Sequence, residues 1–101
     1  MASRLELHEL LKDILGSNNV YHQPPASVQM HYPCIRYSRD DVYVRHADDL
    51  KYFKRNRYEV IHISRNPDDP VVEKLMELPM CEFQRHYTAD NLNHNVFELY
   101  F

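Results

Sequence analysis

The sequence predicts an α+β domain: a mainly antiparallel sheet of about five strands with two helices packed on one face. Three observations predict it. An apolar stripe at helical spacing opens the chain, at Leu7, Leu10, Leu11, Ile14 and Leu15. Runs that alternate at the period of a strand fill the middle and the end. A short helical segment bounded by prolines separates them, so the order is helix, strand, strand, strand, helix, strand, strand. The 101 residues suit a single domain over 1–101 that buries enough surface to fold alone.

The first element is "SRLELHELLKDILG". Ser3 followed by Glu6 forms a capping box, in which each side chain satisfies a free backbone N–H. The apolar residues follow the i, i+3, i+4, i+7, i+8 rule of one buried face. Gly16 is a natural stop, because the residue after a helix often takes a left-handed conformation. "VYHQPPASVQMHYP" contains Pro24, Pro25 and Pro33, which hold the backbone extended and remove donors. With Val20, Tyr21, Val28, Met30 and Tyr32 it reads as an ordered connector lying over the surface.

Three strands are expected next. "YPCIRYS" starts after Pro33. "DVYVRHA" alternates, and the turn-prone pairs Asp40-Asp41 and Asp48-Asp49 flank it. "LKYFKRNRYEVIHIS" exceeds the usual strand length of roughly 5–6 residues. Its second half is apolar and β-branched, so it should be buried. Its first half is polar with two aromatics, so it should project as a hairpin arm or an ordered loop.

"NPDDPVVEKLMELP" is the second helix, of about two and a half turns. Asp69 is the expected N-cap and Pro70 the first helical residue, where a missing N–H costs nothing. Val71, Val72, Leu75, Met76 and Leu78 supply its apolar face, and Pro79 ends it. The closing "CEFQRHYTADNLNHNVFELYF" reads as two strands around turn residues in "TADNLN". His86 and His94 flank that turn. The expected core is Leu7, Leu11, Ile14, Val60, Ile61, Leu75, Phe83, Phe97 and Leu99, joined by Cys81 and Phe101. The last strand is expected to be held in the sheet.

Composition narrows the function. A single glycine rules out a glycine-rich phosphate loop, which needs several to bring backbone N–H groups close. The formal charge of −3 is no footprint for gripping a nucleic-acid backbone. No apolar run approaches the ~18 residues of a membrane span, and no secretory signal is visible, so the expected compartment is the cytoplasm. Cys34 and Cys81 read as small buried hydrophobes. A disulfide between them would need Cα atoms within about 7 Å.

Seven histidines raise the question of a metal, but none is paired at ligand spacing on a helix or strand, and the cysteines lack C-x-x-C spacing. No G-x-S-x-G elbow exposes a serine. The carboxylates of "NPDDP" are explained by helix capping, which also accounts for both prolines. Neither a cofactor nor a catalytic residue is therefore expected. The one basic run with interleaved aromatics is "KYFKRNR", residues 51–57. Such a run can stack on single strands. The same side chains are favoured in protein contacts, which fit an acidic chain better.

The helix ending in "LGSNNVYHQPP", the "YPCIRY" strand, "RYEVIHISRNPDDPVVEKLMELP" and "CEFQRHYTADNLNHNVFELYF" resemble small tail-completion proteins of tailed bacteriophages, over nearly the whole chain. The resemblance implies a tail terminator: a subunit of a homo-oligomeric ring, usually a hexamer, that caps the tail tube and joins it to the head connector. Its partners would be the tail tube protein and head–tail connector or adaptor proteins. DNA would only pass through the lumen, and no membrane would be involved. It would be a structural virion protein of the neck, assembled in the host cytoplasm, and not an enzyme. Lys51, Tyr52, Phe53, Lys54, Arg55 and Arg57 would make intersubunit or tube contacts. Asp40, Asp41, Asp48 and Asp49 would sit at turns near the lumen. The alternatives are a head-closure or adaptor protein of the same neck, a nucleic-acid-binding module using Lys51–Arg57, and a small enzyme or toxin using a cysteine or the acidic pair.

Overall fold

Twelve residues, Arg4–Leu15, form the first helix, α1. The computed structural model describes residues 4–24, 31–47 and 50–101, with side chains for all of these except 40–47 and 50–55. Ser3 of the expected capping box lies outside them. Leu7 and Leu11 are fully buried, and Ile14 and Leu15 pack beside them, as the apolar stripe requires. Gly16 ends the helix at φ +79°, and its N–H donates to the Lys12 carbonyl at 2.8 Å. That left-handed conformation is one that a side chain would strain.

The segment expected as a plain connector begins with a strand, β1 (Val20–His22). It pairs in parallel with β2 (Cys34–Ala47), Val20 opposite Ile35 and His22 opposite Tyr37. A three-residue strand is too short to show a period, so local pattern could not reveal it. Val28 and Met30 lie outside the described residues.

β2 corrects a second expectation. The two strands expected over "YPCIRYS" and "DVYVRHA" are one. Asp40-Asp41 is not a turn. The register shifts between Arg39 and Asp41, so the pair is absorbed as a bulge with one extra residue on β2. Asp48 and Asp49 lie outside the described residues. β3 (Leu50–Ser64) runs antiparallel to β2, α2 (Val71–Met76) follows, and β4 (Cys81–Ala89) and β5 (Leu92–Tyr100) close the chain as a hairpin. Asp90 and Asn91 form its turn with φ of 53° and 63°. Two successive positive φ values are the mark of the turn whose twist matches a two-residue hairpin.

The fold is α+β: two helices and a five-stranded sheet in the order β1-β2-β3-β5-β4. The sheet is mixed, because β1 and β2 run in parallel while the other three pairings are antiparallel. Alternation sorts its residues into two buried clusters. The larger joins Leu7, Leu11, Val71 and Leu75 of the helices to Val20, Ile35, Tyr37, Tyr58, Val60, Phe97 and Leu99. The smaller holds Cys34, Ile63 and Leu92, with Tyr21 and Ile61 packed against it. Burying each large aliphatic side chain contributes roughly 1.5–3 kcal/mol.

Leu7, Leu11, Val60, Leu75, Phe97 and Leu99 are buried as expected. Ile14, Cys81 and Phe101 are half-buried beside the larger cluster, and Ile61 beside the smaller one. Phe83 is 42% exposed, because β4 is the border strand and has a neighbour on one side only. Met76, expected on the apolar face of α2, is exposed too. The helix is six residues long, and its buried stripe is Val71 and Leu75, one turn apart; Met76, one residue further round, faces away from it.

β5 accompanies β3 from Ser64 only as far as Arg57, and β1 accompanies β2 only over Ile35–Tyr37. Beyond those limits β2 and β3 continue together as a two-stranded arm, pairing as far as Ala47 opposite Leu50. The first half of the "LKYFKRNR…" run therefore projects as a hairpin. The molecule measures 51 × 27 × 23 Å.

Candidate functional site

The arm carries the basic run. Lys51, Tyr52, Phe53, Lys54, Arg55 and Arg57 all lie on β3, where Lys51 pairs with His46, Phe53 with Arg45, Arg55 with Tyr43 and Arg57 with Asp41. The shift between Arg45 and His46 leaves Tyr52 as an extra residue on β3. Arg57 sits at the root, where Tyr100 of β5 is also its register partner. Its guanidinium lies 4.0 Å from the Glu98 carboxylate. It therefore ties the root of the arm to the sheet. Asp40 and Asp41 stand at the bulge on the opposite strand of the same arm.

The far border of the sheet is a second candidate surface. Every residue of β4 from Glu82 to Ala89 is exposed. Phe83 packs edge-on against the buried Phe97, ring centroids 5.5 Å apart. After the register shift between Phe83 and Arg85 the facing reverses. Tyr87 then stacks on His94 at 4.6 Å with the planes 11° apart, and the Arg85 guanidinium lies 5.8 Å from the Tyr87 ring centre. His86 is held to Asn93 at 3.2 Å. A signal for this border existed in the sequence: "CEFQRHYTA" places polar or charged residues in both registers, so neither face of the strand is apolar.

A polar centre, whose Asp69 the sequence reading explained by helix capping, lies where β3 hands over to α2. The Asp69 carboxylate accepts the Val71 N–H at 3.0 Å through one oxygen and the Ser64 hydroxyl at 3.1 Å through the other. Pro70 has helical dihedrals, φ −65° and ψ −14°, so Asp69 caps the helix as expected. The same oxygen that takes Ser64 lies 3.6 Å from His62 Nε2. His62 is completely buried, and neither ring nitrogen has a hydrogen-bond partner. Burial pushes its pKa below the ordinary 6.5, and the Asp69 charge opposes this. The order here is Ser64, Asp69, His62, with the carboxylate in the middle. A hydrolytic triad needs the imidazole between the other two, and here the serine meets the carboxylate instead.

A third cluster surrounds Tyr37. Its hydroxyl meets His8 Nδ1 at 2.8 Å and accepts from the Arg4 guanidinium at 3.3 Å, and its ring centre lies 5.0 Å from that of His22. Burial first, then Lys12 and Arg4, lowers the pKa of His8. Burial first, then Arg4 and His8, lowers that of His22. Burial raises that of Tyr37. Both cysteines are free, and they belong to different clusters, Cys34 to the smaller and Cys81 beside the larger. Burial pushes both thiols up to about 11, so neither is a ready thiolate near neutral pH. Among the described residues no three histidine, cysteine or carboxylate side chains converge as a metal site. Among them no helix is long and apolar enough to cross a membrane.

No protein-family profile matches the sequence, and no curated protein aligns with it significantly.

Proposed function

We propose that this chain is a structural virion protein of the phage neck: a tail-terminator or tail-completion subunit whose ring caps the tail tube and meets the head connector. The observation that carries the reading is the pairing of a projecting β2–β3 arm with an open β4 border across one sheet. A head-to-tail ring needs two different surfaces on each subunit, and these are two such surfaces. The two helices, on this reading, cover one face of the sheet; the buried cluster that unites Leu7, Leu11, Val71 and Leu75 with the strands supports that arrangement. The basic run Lys51–Arg57 then serves protein contacts in a hexameric ring, and the net charge of −3 suits a lumen past which DNA slides without being held.

Electron microscopy of the purified protein, alone and with tail tube protein, tests the reading. Closed rings that seat on the end of the tube are expected. Protein that forms no ring in any salt condition overturns it. A ring that seats on the portal side and ignores the tube makes it a head-closure protein. Salt-sensitive capture of single-stranded DNA, lost on Tyr52→Ala with Arg55→Ala, makes it a nucleic-acid-binding module.

A further inference from the structure

Among the described residues, two of the sheet's open edges are long and carry charges in a definite order. One is β4, open along its whole length of nine residues. The other is the outer side of β2 beyond Tyr37, where β1 ends and no described strand replaces it up to Ala47. Successive antiparallel pairings of β2 with β3, β3 with β5 and β5 with β4 make β4 run opposite to β2. A second copy added edge to edge in the same orientation therefore meets β2 with its β4 antiparallel.

Charge order agrees with that orientation. β4 carries Glu82, then Arg85 and His86; β2 carries Asp40 and Asp41, then Arg45 and His46. Placed antiparallel, the acidic start of β4 lies toward the basic end of β2, and the basic middle of β4 lies toward Asp40 and Asp41. The bulge and the charges of β4 discourage pairing with an arbitrary strand. They leave a strand of complementary charge as the fitting partner. We propose that the β4 edge of one copy pairs antiparallel with the outer edge of β2, in the arm of a second copy. This rests on the ring reading and names the contact that would build the ring.

The hairpin turn identifies which backbone groups do the pairing. In a two-residue hairpin the residues flanking the turn, here Ala89 and Leu92, exchange hydrogen bonds with each other. Alternation then directs Tyr87 and Arg85 inward to β5, and Thr88 and His86 outward. On the far side of the bulge, the Tyr100 N–H donates to the Met80 carbonyl, which keeps position 80 inward.

Proline scanning along β4 is the test, read by sedimentation and circular dichroism on the full chain. Thr88→Pro and His86→Pro are expected to keep the fold, because the lost N–H faces away from β5, and to weaken self-association about tenfold for each blocked bond. Tyr87→Pro, which removes an inward donor, is expected to unfold the hairpin. Charge exchange checks the antiparallel pairing without proline. Glu82→Arg and Arg45→Glu should each weaken association about threefold or more, and together restore it. Rings that persist in both outward proline variants overturn this contact and leave the ring reading standing. Edge-dependent association that stops at a dimer or runs into open fibres leaves the contact standing and overturns the ring. Failure of the charge exchange to restore association overturns β2 as the occupant. A chain that stays monomeric at every concentration overturns the proposal.

Discussion

β4 and β5 are the two strands of one hairpin, nine residues each, with similar alternation, yet they end in opposite environments. In β5, Leu92, Asn95, Val96, Phe97 and Leu99 are buried; in β4 only Cys81 is even partly so. The difference is position. β5 lies between β3 and β4, and β4 is the border of the sheet. Alternation says which residues share a face, and neighbours decide whether that face is covered. Phe83 and Phe97 make the contrast concrete. They are register partners whose rings touch, one exposed and one sealed.

The largest expected effect lies on the covered strand. Phe97→Ala should destabilise the fold by about 3–5 kcal/mol in denaturant unfolding, since it opens a cavity in the main cluster. Phe83→Ala should cost only about 1 kcal/mol, mostly the edge-on contact with Phe97. Equal losses would mean that β4 is not a border in solution.

Removing Tyr100 and Phe101 comes next. The Phe101 N–H donates to the Asn56 carbonyl at 2.9 Å, and the Tyr100 N–H to that of Met80. Both bonds tie β5 to its neighbours, and the deletion should lower stability by about 2 kcal/mol. A truncated chain with an unchanged melting temperature would show that the end of β5 is not structural.

Asp69→Ala should cost about 1–2 kcal/mol, because it removes the cap of α2 and the acceptor for the Ser64 hydroxyl. Asp69→Asn, which can still accept from Val71, should recover part of this in the same unfolding assay.

His62 sits on β3 opposite Asn95 of the covered strand, and its effect is read with pH. Burial holds its imidazole neutral in the folded chain, below the ordinary 6.5, against the partial opposition of Asp69. The unfolded chain therefore binds the proton more readily. The stability that His62 contributes is present above 6.5 and is lost as pH falls toward its folded value. His8 and His22 shift in the same direction, so the whole chain should weaken in mild acid. His62→Leu should flatten the melting temperature against pH, most visibly below pH 6.5. A curve as steep as that of the unaltered chain would place the acid sensitivity on the Tyr37 cluster instead. Smallest of all, Tyr87→Ala on the open border should stay within about 0.5 kcal/mol in the same unfolding measurement.

Where an element's cause is local, the sequence determined it. The stripe from Leu7 to Leu15, the Gly16 stop, the Asp69 cap before Pro70 and the apolar half of β3 are written within a few residues of where they act. The α+β class follows from their order. The projection of the arm was also legible, because a strand that turns polar halfway has left the core. The candidate surfaces were legible unevenly: the basic run of the arm stood out, while the polar residues in both registers of β4 hinted at an open edge without showing which strand lies at the border. Only the tertiary structure decided that β1 pairs in parallel with β2, that Asp40-Asp41 is a bulge within one strand, that β5 is covered while β4 is open, and that Asp69 reaches His62. Each depends on which segment lies beside which. Pairing and burial are set by contacts between residues far apart in the chain, and the periodicity of a single strand carries no record of its neighbour.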